Sequence, residues 1–239
     1  PKVIFETSEF EESLENSDQI SIRKYIGKRV YVTKPDRFTE FYISCDQGEK
    51  RDAFVVAMAH GEPTSYETHN AKGEKTTLER YKVVVDFVEG WIPDRDKRTT
   101  VSFPNVEEVL FLLHNQFNIK KIVFDQWNST ESIQRLFSKG ILTEKTNPVD
   151  NLQKYEVLKL LIYSGLVELP PNDNLHRELR QLNLVKGKKV DHGDQGSSDF
   201  ADAVARVVWE VYINVIEKSI QGDYIHPLKQ RFSSLRSIN

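Results

Sequence analysis

Scarcity is the first informative property of this sequence of 239 residues. It holds one cysteine and one methionine. The single Cys45 excludes an internal disulfide and any cysteine-rich zinc site, as expected in a reducing, cytosol-like compartment. Oxygen donors are then the more accessible metal chemistry. No apolar run approaches the roughly 20 residues that a membrane helix needs, which excludes a spanning segment and a membrane partner. The start lacks a basic-then-apolar signal sequence. The first residue is Pro1 rather than Met, and the expectation is a piece of a longer polypeptide with sequence missing upstream. Basic excess is missing too: 33 Lys and Arg stand against 36 Asp and Glu, a net charge of −3. That balance argues against a protein that coats nucleic acid. It argues less against a nuclease, because a carboxylate site lowers the net charge while local Lys and Arg side chains still hold phosphates. There is no Gly-x-Ser-x-Gly elbow, no Walker A pattern, no His-x-x-x-His spacing, no internal repeat and no low-complexity segment.

What is present reads as one globular α/β domain, with 38% hydrophobic and 29% charged residues. Residues 1–39 form a lead-in, acidic at Glu6, Glu9, Glu11, Glu12 and Glu15. Within it, residues 24–32 fit a helix end or a short strand, and Lys34, Pro35 and Asp36 signal a turn. Aromatic and β-branched runs at 40–46, 53–60 and 80–90 predict three strands in a meander. The first turn falls at 47–52, and the polar stretch 61–79 reads as an exposed loop. Val106, Val109, Leu110, Leu113 and Phe117 have amphipathic-helix spacing. The strand that follows, 119–124, is reached through that helix and should run parallel to an earlier strand. Helices near 130–138, 152–164 and 175–183 follow, with a short strand at 166–169 stopped by Pro170 and Pro171. A long helix runs from Asp199 to about Lys218, its apolar stripe formed by Phe200, Val204, Val207, Val208, Val211 and Val215. The predicted fold is α/β, a mixed five-stranded sheet flanked by helices, with a polar tail at 219–239.

The aspartates fall at the ends of these elements. Asp46 ends the first strand, Asp125 follows the strand after the first long helix, and Asp199 opens the last helix. If the first and fourth strands are adjacent and parallel, Asp46 and Asp125 emerge side by side at one sheet edge, and the helix can deliver Asp199 there. Carboxylates gathered so closely repel one another and are compensated by a divalent cation; Mg²⁺ and Mn²⁺ prefer such oxygen ligands. Two ions about 3.5–4 Å apart suit phosphodiester cleavage. Each aspartate also has a local reading: Asp46 starts a turn, Asp125 caps a helix, and Asp199 is a helix-start aspartate favoured by the dipole. Their joint placement favours a site. Lys50 and Arg51 in the first turn, and Lys186, Lys188 and Lys189 before His192, either hold DNA phosphates or form an ordinary charged surface. Cys45 should point to the opposite face from Asp46 and be buried.

This order of strands, helices and aspartates resembles the RNase H-like nuclease superfamily. Four stretches look like the C-terminal nuclease domain of the large terminase subunit of tailed bacteriophages: YISCDQGEKRD at 42–52, IVFDQWNS at 122–129, LVELPPNDNLHRELRQL at 166–182 and VDHGDQGSSDFADAV at 190–204. The last is the most specific, a His-containing loop followed by Ser, Asp, two residues and Asp-Ala. The resemblance spans about 41–215. It implies Asp46, Asp125 and Asp199 as metal ligands for two Mg²⁺ or Mn²⁺ ions, with Asp46 bridging them. Asp202 is implied as a further ligand or an orienting group; Asp52 and His192 are either accessory site residues or structural ones, Asp52 shaping the first turn and His192 standing in a loop at the site edge. The implied task is endonucleolytic cutting of concatemeric double-stranded viral DNA during packaging, in the host cytoplasm at the procapsid portal vertex and not as a virion component. Implied partners are a missing ATPase domain linked through residues 1–39, the small terminase subunit and the portal, with 40–218 as the nuclease domain. Two other readings keep the fold: a nuclease for RNA:DNA hybrids or branched junctions, and a catalytically silent module that docks DNA or the portal.

Overall fold

The computed structural model describes residues 2–3, 38–49, 52–69, 72–94, 96, 99–125, 129–146, 151–185, 189–191 and 196–219. The expected linker up to residue 39 and the tail beyond 219 lie almost wholly outside the described residues.

The strand β2 (Phe41–Asp46), built of aromatic and β-branched residues suited to a pleated surface, is central to the main sheet. On one side it pairs antiparallel with β3 (Phe54–His69), which pairs antiparallel with β4 (Lys75–Trp91). On the other side it pairs parallel with β5 (Ile119–Phe124), reached through helix α1 (Phe103–Gln116). The expected parallel pairing of these two strands is therefore present. Helix α2 (Thr130–Ser138) leads to β6 (Thr143–Lys145), parallel to β5, and helix α3 (Asn151–Tyr163) leads to β7 (Val167–Glu168), parallel to β4. The strand order is β6-β5-β2-β3-β4-β7. The sheet thus has the expected mixed pairing, an antiparallel meander with parallel strands, with six strands instead of five. The extra strand, β6, has three residues, too few for alternation to be read from sequence.

Residues 61–79 are not a loop: β3 and β4 continue as a two-stranded ribbon, paired out to His69 and Lys75. β2 stops pairing at His60, so beyond it the ribbon is mostly exposed on both faces and carries no apolar alternation. Its signals are the Thr and Tyr residues that favour strands and cross-strand contacts such as Arg80 over the Tyr66 ring, 4.2 Å from its centroid. Pro63 is tolerated because this stretch of β3 has a partner on one side only. A smaller antiparallel sheet joins β1 (Lys2–Val3), β8 (Asn183–Val185) and β9 (Lys189–Asp191).

Alternation along the strands divides the core. Ile43, Cys45, Phe54, Val56 and Met58 pack on one face with Val106, Leu110 and Leu113 of α1. Val55, Ala57, Ala59, Val83 and Val85 pack on the other with Leu158 and Leu161 of α3 and with helix α5 (Asp199–Val211), which follows α4 (Asp173–Gln181). Cys45 is fully buried on the α1 face, as expected. The last helix continues past α5 through a π-helical segment, Tyr212–Ile216.

Gly90 on β4 decides how closely α5 approaches, because a Cβ there would fall inside the buried Phe200 ring, one residue after Asp199. Overpacking of this kind costs about 1–3 kcal/mol. Gly90→Ala is expected to lower the unfolding free energy by about that amount in urea titrations, with the slope against denaturant unchanged.

Candidate active site

The parallel pairing of β2 and β5 sets the site's base. Cys45 lies opposite Phe124, and the Asp125 N–H donates to the Cys45 carbonyl at 3.1 Å. Asp46 and Asp125 therefore leave neighbouring strands at the same edge. Side-chain parity sends Asp46 to the face opposite Cys45, where Arg206 of α5 meets it: Nη2 lies 3.5 Å from Asp46 Oδ1, and Nη1 donates to the Cys45 carbonyl at 3.1 Å.

The turn after β2 closes on itself before it reaches α5. The Gly48 N–H donates to the Ala53 carbonyl at 3.2 Å, and a Cβ on Gly48 would collide with the backbone of Asp52 and Ala53. The Ala53 N–H then donates to Asp199 Oδ2 at 2.8 Å, which joins this turn to the start of α5. One turn along the helix, Asp202 accepts from Tyr155 Oη at 2.7 Å on Oδ1 and from Ser198 Oγ at 2.7 Å on Oδ2. Ser198 therefore serves a carboxylate and leaves the backbone donors of the helix to Glu178 of α4. Glu178 Oε2 accepts from the Phe200 and Ala201 N–H groups at 2.7 and 3.0 Å, a cap supplied by another helix.

The electrostatics follow from this crowding. Burial pushes the Asp46 carboxyl well above its ordinary range; Arg206 opposes the rise, and the charges of Asp202, Asp199 and Asp125 add to it. Burial likewise raises Asp199 against its hydrogen bonds from Ala53 and Ser197, with Asp52 and Asp202 adding repulsion. For Arg206 burial works downward, but Asp46, Asp202 and Asp125 outweigh it and hold the guanidinium charged. Burial raises Tyr155, and the adjoining Asp202 charge raises it further. Three neighbouring aspartates thus act on Asp46, and Arg206 opposes them.

Among the described residues, no group of three or more His, Cys, Asp or Glu stands in an arrangement that could hold a metal ion as it is. The oxygens of Asp199 and Asp202 are engaged by Ala53, Tyr155 and Ser198, and Arg206 lies beside Asp46. The donor chemistry nevertheless fits a hard divalent cation: among the described residues, the carboxylates of Asp46, Asp125, Asp199 and Asp202 exceed the one guanidinium, that of Arg206. Asp52 is exposed beside Ala53, close enough for its charge to act on Asp199. His192, Lys50, Arg51, Lys186 and Lys188 lie outside the described residues, as does the side chain of Lys189, whose backbone belongs to β9. Sequence reasoning missed Arg206, Tyr155 and Glu178. Arg206 had a signal, since it lies four residues after Asp202 and seven after Asp199, on one helix stripe. Tyr155 and Glu178 had none.

No protein-family model and no curated protein matches this chain, but solved structures do. The large terminase nuclease from thermophilic phage G20c superposes with a TM-score of 0.59 at 15% identity, covering 90% of this chain and 99% of that one. The large terminase nuclease domain of Thermus phage P74-26 gives 0.58 at 15% identity, over 89% of this chain and 96% of that one. This chain has the large-terminase nuclease fold. The large terminase of bacteriophage HK97 matches at 13% identity with a TM-score of 0.53, over 74% of this chain and 40% of that longer one. The terminase nuclease fold thus accounts for nearly the whole of two solved nuclease domains and for part of a larger protein. The G20c nuclease has also been solved with bound magnesium and with bound cobalt, at 16% identity to this chain.

The helix cap supplies a test in solution. Burial lifts Glu178 to about 7 despite its two backbone hydrogen bonds, and the Asp199 charge contributes. Its folded pKa lies above the ordinary 4.5, so between about pH 4.5 and 7 the folded state holds a proton that the unfolded chain has released. The corresponding stability is fully present below about 4.5 and is lost as pH rises through about 7. In Glu178→Gln this component should vanish. Metal-free urea titrations across that window are expected to show a flatter pH dependence for the variant than for the parent protein.

Proposed function

We propose that this chain is the nuclease domain of a viral DNA-packaging terminase, a Mg²⁺- or Mn²⁺-dependent endonuclease that cuts concatemeric double-stranded DNA by two-metal-ion hydrolysis. The observation that carries this reading is the parallel β2–β5 pair, which brings Asp46 and Asp125 to one edge under the start of α5, within a terminase nuclease fold. Divalent cations bound at such an edge would activate water and offset charge on the leaving oxygen. Asp46 and Asp125 are assigned as the ligands presented by the sheet, and Asp199 as the third, presented by the helix. Tyr155 and Ser198 hold both oxygens of Asp202, so Asp202 serves as a further ligand of fixed orientation or as a group that orients Asp199. Asp52 and His192 are assigned accessory roles. Lys50, Arg51, Lys186, Lys188 and Lys189 are assigned to DNA phosphates, which carry affinity without reading sequence.

The wider setting belongs to the same proposal: an ATPase domain on the same polypeptide, the small terminase subunit and the portal as partners, and action in the host cytoplasm at the portal vertex. The match to part of the longer HK97 large terminase supports a further domain on the same polypeptide. A catalytically silent docking module is favoured by one observation, that the described carboxylates do not stand ready to hold a metal. Calorimetry separates the two, since absence of binding at millimolar Mn²⁺ supports the silent module.

The direct test is plasmid cleavage by Asp125→Asn, with circular dichroism and thermal unfolding to establish that the variant is folded. Loss of at least roughly a hundredfold in cutting rate is expected for a group that acts on developing charge. Full activity in a folded variant would sink the assignment. Parallel reactions on hybrid and four-way-junction substrates decide the substrate, with duplex DNA expected to be cut fastest.

A further inference from the structure

We propose that Arg206 is the resident counter-cation of the carboxylate edge: it stabilises buried Asp46 while the site is metal-free and weakens the binding of the divalent cation that replaces it. This rests on the metal-site reading above. The guanidinium is placed where hydrogen bonding alone does not account for it. Its side chain is 7% exposed, yet it makes one ordinary hydrogen bond, to the Cys45 carbonyl, and one long contact at 3.5 Å, to Asp46. Its Nε is buried with no hydrogen-bond partner among the described residues. A guanidinium carries five N–H donors, and a buried cation so sparsely paired is costly unless nearby charge compensates it. Asp46, Asp125 and Asp202 supply that charge.

Position on α5 makes the arrangement obligatory. Asp199, Asp202 and Arg206 lie on one helical stripe, and the other sides of the helix are packed through Phe200, Val204, Val207 and Val208. Arg206 therefore cannot be withdrawn by rotating the helix, only by moving its own side chain. A divalent cation arriving at Asp46 meets a positive charge already beside that carboxylate. The two repel strongly at such range in a partly desolvated site, so metal entry displaces the guanidinium or proceeds against it.

The claim is tested in two arms on the whole chain. In the metal-free arm, thermal unfolding is followed for the parent, Arg206→Met, Asp46→Asn and the double variant. Arg206→Met should lower the melting temperature markedly in the parent background and by less than half as much in the Asp46→Asn background, because the charge it compensates is gone. Equal losses in both backgrounds would overturn the proposal and leave Arg206 as a packing residue. If Arg206→Met does not fold, folding of the double variant supports the proposal and its failure to fold refutes it. Arg206→Lys, which keeps the charge, should recover most of the lost stability; no recovery would also count against it. In the second arm, calorimetry with Mn²⁺ should show roughly tenfold or more tighter binding to Arg206→Met than to the parent. If Arg206→Met does not fold, Arg206→Gln, which removes the charge and leaves the carboxylates in place, carries this arm, again binding Mn²⁺ more tightly than the parent. Unchanged or weaker binding would overturn the competition. If neither the parent nor Arg206→Met binds Mn²⁺ at millimolar concentration, the metal-site reading and the competition both fall, while the metal-free arm still decides whether Arg206 compensates Asp46.

Discussion

The Cys45 carbonyl accepts two hydrogen bonds at 3.1 Å, one from the Asp125 N–H and one from Arg206 Nη1. Through this one oxygen the end of β2, the residue after β5 and the middle of α5 are held together, and all three carry or contact a carboxylate. The parallel pairing of β2 with β5 makes the first bond a continuation of the sheet. The second exists because α5 lies across the sheet face opposite α1. Were β5 shifted by one residue, the alternation of side chains would carry Val123 and Phe124 to the wrong faces, and Asp125 would leave the edge with them. Two hydrophobic cores thus enforce the register that sets two acidic groups side by side.

The same packing explains why so much charge is tolerated. The start of α5 turns the positive end of the helix dipole toward Asp199 and Asp202, which lie in its first turn. Glu178 takes the Phe200 and Ala201 N–H groups, which frees Ser198 to donate to Asp202. Tyr155 donates to the other Asp202 oxygen, and Ala53 to Asp199. These donors, the helix end and Arg206 offset the repulsion only in part, since Asp46 and Asp199 remain raised by burial and by their neighbours. A residual demand for positive charge is what a cation-dependent site requires.

Much of this was legible in the sequence. The meander, the parallel strand after α1 and the long last helix follow from runs and periodicities whose apolar residues do occupy the core, and the placement of Asp46 and Asp125 at one edge follows from strand ends alone. The ribbon formed by the outer halves of β3 and β4 was not legible, because a two-stranded arm with solvent on both faces has no buried side to impose alternation. β6 was too short. Tyr155 lies among the buried apolar residues of α3, where the sequence marks it as core, and its hydroxyl matters only through a partner 47 positions away. Glu178 likewise caps a helix that begins 21 residues later, and local cap rules look no further than the adjoining turn. Arg206 differs: reading the polar stripe of α5 with the care given to its apolar stripe joins it to Asp199 and Asp202.

That last helix is where core and site become one constraint. Its apolar residues are buried against β3, β4 and α3, and a helix advances about 100° per residue. Once Phe200, Val204, Val207, Val208 and Val211 are seated, the direction of the complementary stripe is set. Gly90 admits the Phe200 ring, so the depth of the helix is set as well. Asp199, Asp202 and Arg206 therefore inherit their positions from apolar packing, and a small rotation that displaced one would move all three and expose Val and Phe surface together. Burial of apolar area resists such a motion far more than any exposed ion pair could, so the core beneath the acidic edge sets where Asp199, Asp202 and Arg206 stand.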